Sequence, residues 1–170
     1  PEQLPNWLWI RSVIGGSGFV PNVLNLFAYT GIATLFAAYA GAKVTHVDAS
    51  KNAVYRASEN LELSSMPDAP VRWIVDDVMK FVQREIRRGS RYNAVLMDPP
   101  LFGRGPGSEV WKFEKNISDL IRACMQLLSP DPLLFICTAY NIKMGSDELA
   151  NLTNSPDTPA NVRIEHGNII

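Results

Sequence analysis

The sequence predicts an α/β fold, a Rossmann-like, doubly wound, mostly parallel sheet with helices on both faces. Two observations lead to this prediction. Short apolar runs, typical of buried parallel strands, alternate along the chain with segments of helical spacing. Strict alternation of this kind requires parallel strands joined by right-handed crossovers, which place helices on both sides of a sheet.

The elements follow in regular order. Ser50 stands where it can cap the second helix. The apolar runs predict strands at residues 23–27, 43–47, 71–75, 93–97, 133–138 and 162–169. Helical spacing predicts helices at residues 31–40, 51–61, 78–88, 117–128 and 147–152.

The remaining segments are predicted as loops. Residues 1–21 have an irregular pattern and are expected to form an N-terminal loop region, and residues 103–107 are rich in Gly and Pro. The spacing is abrupt near residues 15–21 and 153–160, which makes both places candidates for omitted loops. We expect residues 1–170 to form one domain, because this length suffices for a full core.

Composition excludes several classes of protein. The formal net charge of −1 argues against a generally basic nucleic-acid binder, so contact with RNA would need a local patch or a partner. No apolar run is long enough for a membrane span, and we expect no membrane association. Two Cys and two His form no metal-like cluster, so no metal is expected. Cysteine usage favours a reducing compartment, either the cytoplasm or an organelle such as the mitochondrial matrix.

The segment Asp98-Pro99-Pro100 directly follows the fourth apolar run. Each proline lacks an N–H and fixes its own φ, so the strand must stop there in a stiff corner. The corner holds one carboxylate at the carboxyl end of a strand, where ligands bind in open α/β sheets. A rigid acceptor in that place suits catalysis on a nitrogenous ring, although a turn that merely ends the strand is the alternative.

The loop at residues 25–31 joins the first strand to the first predicted helix. Dinucleotide-binding folds place three glycines here so that a pyrophosphate can approach the backbone, whereas this loop contains only Gly31. A nicotinamide oxidoreductase is therefore disfavoured, and a ligand without phosphate, such as S-adenosylmethionine, fits better. Gly31 either lets that ligand approach the backbone or allows the helix to pack tightly on a strand.

Acidic residues end the next two strands. Asp48 is placed to accept hydrogen bonds from ribose hydroxyls, or alternatively to cap the next helix. Asp77 could accept from an adenine amine while Val78 offers an apolar edge to the ring, and Asp76 could take the same role or act as a cap. With Asn25 and Asp98, these acids should all lie on one edge of the sheet.

The stretches at residues 23–31, 47–53 with Asn60, and 98–102 resemble class I S-adenosylmethionine-dependent methyltransferases. Within that class the chain is most similar, over roughly residues 7–140, to bacterial-type large-subunit ribosomal RNA methyltransferases, which modify carbon 5 of cytosine or a guanine ring nitrogen. The resemblance implies RNA as partner, together with ribosomal or assembly proteins. The RNA-binding module that precedes the catalytic domain in many members is not found in the sequence, which leaves the substrate more open than the cofactor.

The resemblance also implies roles for individual residues. The loop would hold the methionine end of S-adenosylmethionine, the second strand its ribose, the third its adenine, and the Asp-Pro-Pro corner the target base beside the cofactor. The residues of the loop are Asn25, Phe27, Tyr29, Thr30 and Gly31. Asp48 and Ala49 follow the second strand, Asp77 and Val78 follow the third, and the corner consists of Asp98, Pro99 and Pro100.

Further residues would decide the substrate and the chemistry. Phe102 is a candidate for stacking on an unstacked base, or else a core residue, and Arg104 and Lys112 are candidate RNA contacts beside the site. Trp111 could stack on a base or pin the loop to the domain. Carbon 5 of cytosine needs a thiolate nucleophile, and Cys137 at the end of the fifth strand is the candidate, although buried cysteine is often only a small apolar residue.

These observations predict an S-adenosylmethionine-dependent methyltransferase that modifies a base in RNA, with ribosomal RNA as the expected substrate. The alternative is a methyltransferase-like scaffold or ribosome-assembly factor with little or no activity, since fold alone does not fix function. A methyltransferase for a small molecule also remains open, because the sequence does not give the size of the pocket.

Overall fold

The computed structural model describes residues 3–140, 142, 144–154 and 156–159. Within this part, strands and helices alternate as the sequence predicts, and a small hairpin is added. In chain order the elements are α1 (Leu4–Gly15), β1 (Asn22–Leu26), α2 (Ile32–Tyr39), β2 (Lys43–Asp48), α3 (Lys51–Leu63), β3 (Val71–Val75), α4 (Val78–Arg87), β4 (Ala94–Met97), β5 (Phe102–Arg104), β6 (Val110–Lys112), α5 (Phe113–Leu127), β7 (Leu134–Cys137) and α6 (Ser146–Asn151).

Five of these strands form one sheet in the order β3-β2-β1-β4-β7, and every neighbouring pair is parallel. The chain moves from β1 to β2 on one side, whereas β4 lies on the other side of β1. Such a reversal of strand order opens a crevice at the carboxyl ends of the strands. Leu26 is level with Val47 of β2 and Met97 of β4, so the residues that follow these three strands lie side by side.

Two apolar clusters cover the two faces of the sheet. One lies between the sheet and helices α4 and α5, with Phe81, Phe113 and Leu120 fully buried. The other lies beneath α1 and α2, where Ile14 and Ala37 pack against Val23 and Val44. Burial of one large apolar side chain typically contributes about 1.5–3 kcal/mol, so the two layers hold the strand ends in place. The predicted doubly wound architecture is confirmed.

The prediction of a loop over residues 1–21 holds for residues 16–21 and is wrong for Leu4–Gly15, which forms helix α1. Pro5 is tolerated there, since it falls in the first turn, where an N–H has no helical partner. Apolar residues occur on nearly every side of α1, with Ile10 buried while Leu8 and Trp9 are exposed. This pattern lacks the single apolar stripe by which sequence reasoning recognises a helix.

The segment after β4 also differs from the prediction. Strands β5 and β6 pair antiparallel on either side of the Gly/Pro-rich turn, and α5 begins at Phe113, four residues before the predicted start. The indole N–H of Trp111 donates to the carbonyl of Pro100 at 2.6 Å, which fastens the hairpin to the strand end. The short helix near residue 147 is present as α6, and the predicted strand at residues 162–169 lies outside the described residues.

Gly31, the residue before α2, is a point of close packing. Its φ is 86°, and a Cβ there would lie 2.8 Å from the Cβ of Ala57 in α3. Gly41 after α2 has a similar φ of 96°, but a Cβ added to Gly41 would have no neighbouring atom within 4 Å. A side chain at either glycine would strain the backbone, but only a side chain at Gly31 would also collide with a neighbouring helix.

We expect Gly31→Ala to lower the free energy of unfolding more than Gly41→Ala, by about 1–3 kcal/mol, because only the first adds a steric clash to the left-handed strain. Urea denaturation of both variants measures the difference. Adding Ala57→Gly to Gly31→Ala should recover most of that difference. Equal losses for the two single variants would contradict the packing role.

Candidate active site at the carboxyl edge of the sheet

The loop after β1 has an unusual backbone. Phe27 and Tyr29 have φ values of 52° and 46°, in the left-handed region that non-glycine residues rarely adopt. The loop is nevertheless firmly held, since Ala28 N–H donates to the Val47 carbonyl at 3.1 Å and the Asn60 amide donates to the Thr30 carbonyl at 3.0 Å. Such strain persists only where surrounding contacts enforce it, and it concentrates at binding sites.

Asp48, at the end of β2, connects this loop to the start of α3. Its Oδ2 accepts the backbone N–H of Tyr29 at 2.9 Å, and its Oδ1 accepts the N–H of Ser50 at 2.8 Å. Ser50 in turn caps α3 through Ala53 N–H at 3.3 Å, as predicted. An ionised carboxylate has about four acceptor positions, so Asp48 can hold the loop and still accept from two hydroxyls.

The two acids after β3, Asp76 and Asp77, have different partners. Asp77 caps α4, with its Oδ1 accepting Lys80 N–H at 2.9 Å, while Asp76 pairs with Arg84 at 2.7 Å. Asp77 thus lies at the predicted strand end and also caps α4, a role that the sequence analysis had offered to Asp76. Val78 is only 3% exposed and belongs to the core, so the prediction that it offers an apolar edge to a ligand is wrong for its side chain.

Two residues predicted to contact the cofactor have other partners. Asn25 is buried, and its amide donates to the hydroxyl of Thr34 in α2 at 2.9 Å. Gly31 is buried against Ala57, and its N–H donates to the Ala28 carbonyl at 2.9 Å. Both therefore shape the loop from behind, and for Gly31 the structure supports the packing alternative.

Asp98 lies in the stiff corner after β4, next to a buried Pro99 and an exposed Pro100. The Thr138 hydroxyl donates to Asp98 Oδ1 at 2.6 Å, and Thr138 N–H bonds the Met97 carbonyl at 3.0 Å. Although the residue reaches the surface, surrounding protein desolvates its carboxyl. This desolvation raises the pKa of Asp98, and the bond from Thr138 offsets part of the rise. Thr138 was missed by sequence reasoning, although it follows a strand as the predicted acids do.

Cys137 immediately precedes Thr138 but is poorly suited to form a thiolate. Burial raises the pKa of the Cys137 thiol to about 12, and the negative charge of Asp98 acts in the same direction. Nucleophilic cysteines instead have a lowered pKa and a neighbouring cation or base. The structure thus argues against the predicted role of Cys137 as a nucleophile. Cys124 is fully buried in α5, as expected for a core residue.

The hairpin formed by β5 and β6 stands beside Asp98. Trp111 is 7% exposed and packs on Phe27 with ring centroids 4.8 Å apart, so the prediction that it stacks on a base is wrong and the alternative of pinning the loop is correct. Phe102, Arg104 and Lys112 are all exposed. Lys80 of α4 forms an ion pair with Glu109 in the turn, which adds a second attachment of the hairpin to the domain.

The site is identified by this edge of the sheet and not by an enclosed cavity. An open hollow of about 570 Å³ runs along α3 and reaches Thr30 of the loop after β1, and another of about 380 Å³ lies at the amino ends of the strands beside Arg72 and Tyr92. In the part of the chain that the structure describes, acids, cysteines and histidines form no group of three that could hold a metal. No helix in those same residues is long and apolar enough to cross a membrane.

Comparison with known protein families shows to which family the chain belongs. The profile of the S-adenosylmethionine-dependent methyltransferases matches residues 8–166, which is nearly the whole chain. The chain belongs to this methyltransferase family. Its cofactor is accordingly S-adenosylmethionine, and the polar strand ends described above line the crevice where that fold binds ligands.

Solved methyltransferases share the fold. The crystal structure of the S-adenosylmethionine-dependent methyltransferase from Agrobacterium tumefaciens is 46% identical, with a TM-score of 0.87 over 90% of this chain and 49% of its own. SMU.776, crystallised with S-adenosylhomocysteine, is 28% identical, with a TM-score of 0.73 over 85% of this chain and 38% of its own.

Among the curated relatives is the ribosomal RNA large subunit methyltransferase K/L of Shewanella frigidimarina, 32% identical over 142 residues. The protein of the same name from Syntrophotalea carbinolica is 29% identical over 164 residues. The match covers 82% and 95% of this chain but only 20% and 22% of those proteins, so the chain spans about a fifth of the relatives' length.

The residues of this methyltransferase site fit the cofactor. No side chain caps the first turn of α2, so its N–H groups remain available as donors suited to the methionine carboxylate. Asp48 retains acceptor positions suited to ribose hydroxyls. The loop has one glycine, and that glycine is used in packing, so it provides no cradle for a pyrophosphate.

We expect Thr138→Val to raise the pKa of Asp98 further, because it removes the hydroxyl that stabilises the carboxylate. An NMR titration of the Asp98 side-chain carboxyl measures this pKa directly. Thr138→Ser keeps the hydroxyl and should leave the pKa nearly unchanged. A pKa that is the same in the Val variant and the unsubstituted protein would show that the hydrogen bond does not control Asp98.

Proposed function

We propose that this protein transfers a methyl group from S-adenosylmethionine to a base of RNA, with large-subunit ribosomal RNA as the substrate. The observation that carries the proposal is the position of Asp98, a desolvated carboxyl in a stiff Asp-Pro-Pro corner. Asp98 and Asp48 lie on either side of β1, each directly after a residue that pairs with Leu26. The names of the curated relatives support RNA as the substrate.

In this proposal the cofactor lies along the carboxyl ends of β1, β2 and β3. The loop that contains Phe27, Tyr29 and Thr30 holds its methionine end, with N–H groups from the first turn of α2 as donors. Asp48 and the adjoining Ala49 hold the ribose. Asp77 is left to interact with the adenine amine through the carboxylate oxygen that does not cap α4.

S-adenosylmethionine supplies an electrophilic methyl group on a sulfonium sulfur, so the protein has to align and deprotonate the acceptor. The stiff corner of Asp98, Pro99 and Pro100 positions a base nitrogen so that its lone pair points at the methyl carbon. A bond forms between nitrogen and carbon as the carbon–sulfur bond breaks, and the nitrogen loses its proton to Asp98. The raised pKa of Asp98 makes it a better proton acceptor than an ordinary aspartate.

Methylation of a ring or exocyclic nitrogen fits this site better than methylation of carbon 5 of cytosine. The carbon reaction requires a thiolate to attack the ring first. The thiol next to the corner, Cys137, has a pKa of about 12 and stays protonated at neutral pH. Asp98 alone suffices for a nitrogen nucleophile.

The hairpin offers the surface that an RNA would meet. Phe102 is the first residue of the hairpin and is 53% exposed. The register places it opposite the exposed Lys112. An exposed aromatic ring beside a cation suits a base stacked next to a phosphate. Because Trp111 fixes the hairpin to Pro100, this surface is held at a constant distance from Asp98.

The proposal is tested with in vitro transcribed bacterial large-subunit RNA, labelled S-adenosylmethionine and mass spectrometry of the nucleosides. We expect a methylated nitrogen in the product. Asp98→Ala should lower kcat by about 10²–10³-fold, as for loss of a preorganised catalytic group. Cys137→Ala should keep most of the activity.

The pair of variants distinguishes the two chemistries. Loss of activity in Cys137→Ala together with a 5-methylcytosine product would overturn the nitrogen mechanism. Absence of methyl transfer to RNA by a protein that still binds S-adenosylhomocysteine would reject RNA as the substrate and favour a scaffold or a small-molecule acceptor.

A further inference from the structure

Trp111, in the middle of β6, turns inward from the hairpin. Its neighbours in the strand, Val110 and Lys112, are exposed, whereas Trp111 belongs to the buried apolar cluster between the sheet and helices α4 and α5. Gly103 pairs with Trp111 in the hairpin, and a Cβ at Gly103 would lie 3.7 Å from Trp111 Cβ and 3.6 Å from Pro100 Cγ. Trp111, Gly103 and Pro100 are therefore packed together.

The first contact of the Trp111 indole is with the Asp-Pro-Pro corner. Its N–H donates to the Pro100 carbonyl at 2.6 Å. The N–H of Phe113 donates to the next carbonyl, that of Leu101, at 3.0 Å. The chain that leaves the corner is thus held at two successive carbonyls. Because each proline has a fixed φ, this attachment restrains the corner back to Asp98.

The second contact of the indole is with the loop after β1. The ring of Trp111 packs on the ring of Phe27, with centroids 4.8 Å apart and planes tilted by 57°, within the range that aromatic pairs favour. Phe27 has a φ of 52°, in the strained left-handed region. A backbone of this kind persists only where surrounding contacts enforce it, and the indole supplies one such contact to the Phe27 side chain.

One rigid side chain therefore contacts both halves of the proposed site. Leu26 pairs with Met97, so Phe27 and Asp98 leave neighbouring strands side by side. The loop is proposed to hold the methionine end of the cofactor, and the corner is proposed to hold the base. Methyl transfer needs the nucleophile, the methyl carbon and the sulfur in line, and a displacement of about 1 Å costs about 100-fold in rate. Contact with both supports gives Trp111 control over this alignment.

We propose that Trp111 is a positioning residue for methyl transfer, which fixes the loop that holds the methyl donor relative to the corner that holds the target base. Trp111 itself touches neither the cofactor nor the RNA in this arrangement. The inference rests on the proposed function, because it requires a base at the corner. It adds that the rate of the chemical step depends on a residue of the hairpin.

The first test measures kcat with labelled S-adenosylmethionine and large-subunit RNA. Trp111→Phe keeps an aromatic ring against Phe27 but removes the N–H donor, whereas Phe27→Leu removes the aromatic pair and keeps the donor. We expect each variant to lower kcat about tenfold, the effect of losing one contact that supports the transition state. In Trp111→Phe the KM for RNA and the dissociation constant of S-adenosylhomocysteine should stay within about twofold, because alignment and not binding is lost.

Combining the two substitutions separates positioning from two unrelated contacts. When both contacts act through one indole, breaking either one releases the alignment. The double variant should therefore lose about tenfold in kcat, no more than the worse single variant. Independent effects would multiply to about 100-fold, and that result would overturn the proposal.

Two controls exclude a merely structural role. Ile121→Val removes a methyl group from the same buried cluster and should lower the free energy of unfolding without changing kcat. Glu109→Gln removes the ion pair between the hairpin and Lys80 and should also leave kcat unchanged. If either control lowers kcat as much as Trp111→Phe does, stability or hairpin attachment explains the effect and the proposal is wrong.

Hydrogen exchange of the indole protons, followed by NMR, tests the geometry without RNA. The Trp111 resonance is assigned by its absence in Trp111→Phe. We expect the Trp111 indole to exchange at least about tenfold more slowly than that of Trp9, whose side chain is exposed, and Phe27→Leu should speed its exchange. Exchange as fast as in Trp9 would show that the bond to Pro100 is not maintained and would refute the inference.

The outcomes distinguish this inference from the proposed function. A normal kcat in Trp111→Phe would reject the positioning role and leave methyl transfer to RNA intact. Absence of methyl transfer in the unsubstituted protein would reject the proposed function, and the role of Trp111 in that reaction with it.

Discussion

The level alignment of three strand ends is the constraint on which the site depends. Leu26 pairs with Val47 on one side and with Met97 on the other, so Phe27, Asp48 and Asp98 leave the sheet together at the point where strand order reverses. A shift of one residue in a parallel strand would turn each of these side chains to the opposite face. The apolar layers on both faces prevent such a shift, because it would expose one set of buried side chains to water.

At these aligned strand ends, hydrogen bonds hold the loop after β1, the start of α3 and the hairpin in place. Asp48 holds the strained loop through Tyr29 and the start of α3 through Ser50, so a residue proposed to meet ribose also organises its surroundings. Thr138 holds Asp98 through a hydrogen bond, and Trp111 holds the hairpin through its hydrogen bond to the Pro100 carbonyl. Each functional group is therefore supported by a neighbour that does not itself react, which is how precise geometry is maintained at catalytic sites.

The sequence was sufficient for the sheet and for the edge at which its polar strand ends lie, because both depend on local signals. Apolar runs predict parallel strands, and the residues that follow them, such as Asp48 and Asp98, identify the edge. It was insufficient where the outcome depends on which face a side chain occupies. Asn25, Val78 and Trp111 were expected at the ligand and are buried, because sequence order does not reveal that α2, the core and Pro100 provide their partners. Helix α1 was missed because its apolar residues surround it.

The central claim is that the cofactor binds at this edge through Asp48, and calorimetry with S-adenosylmethionine tests it most directly. The unsubstituted protein should bind in the micromolar range, and Asp48→Ala should bind about 100-fold more weakly, since two hydrogen bonds to ribose are lost. Asp76→Ala is the control, because Asp76 is an acid at the same edge whose carboxylate is engaged by Arg84, and its affinity should change little. Equal affinities for Asp48→Ala and the unsubstituted protein would contradict this account of the site.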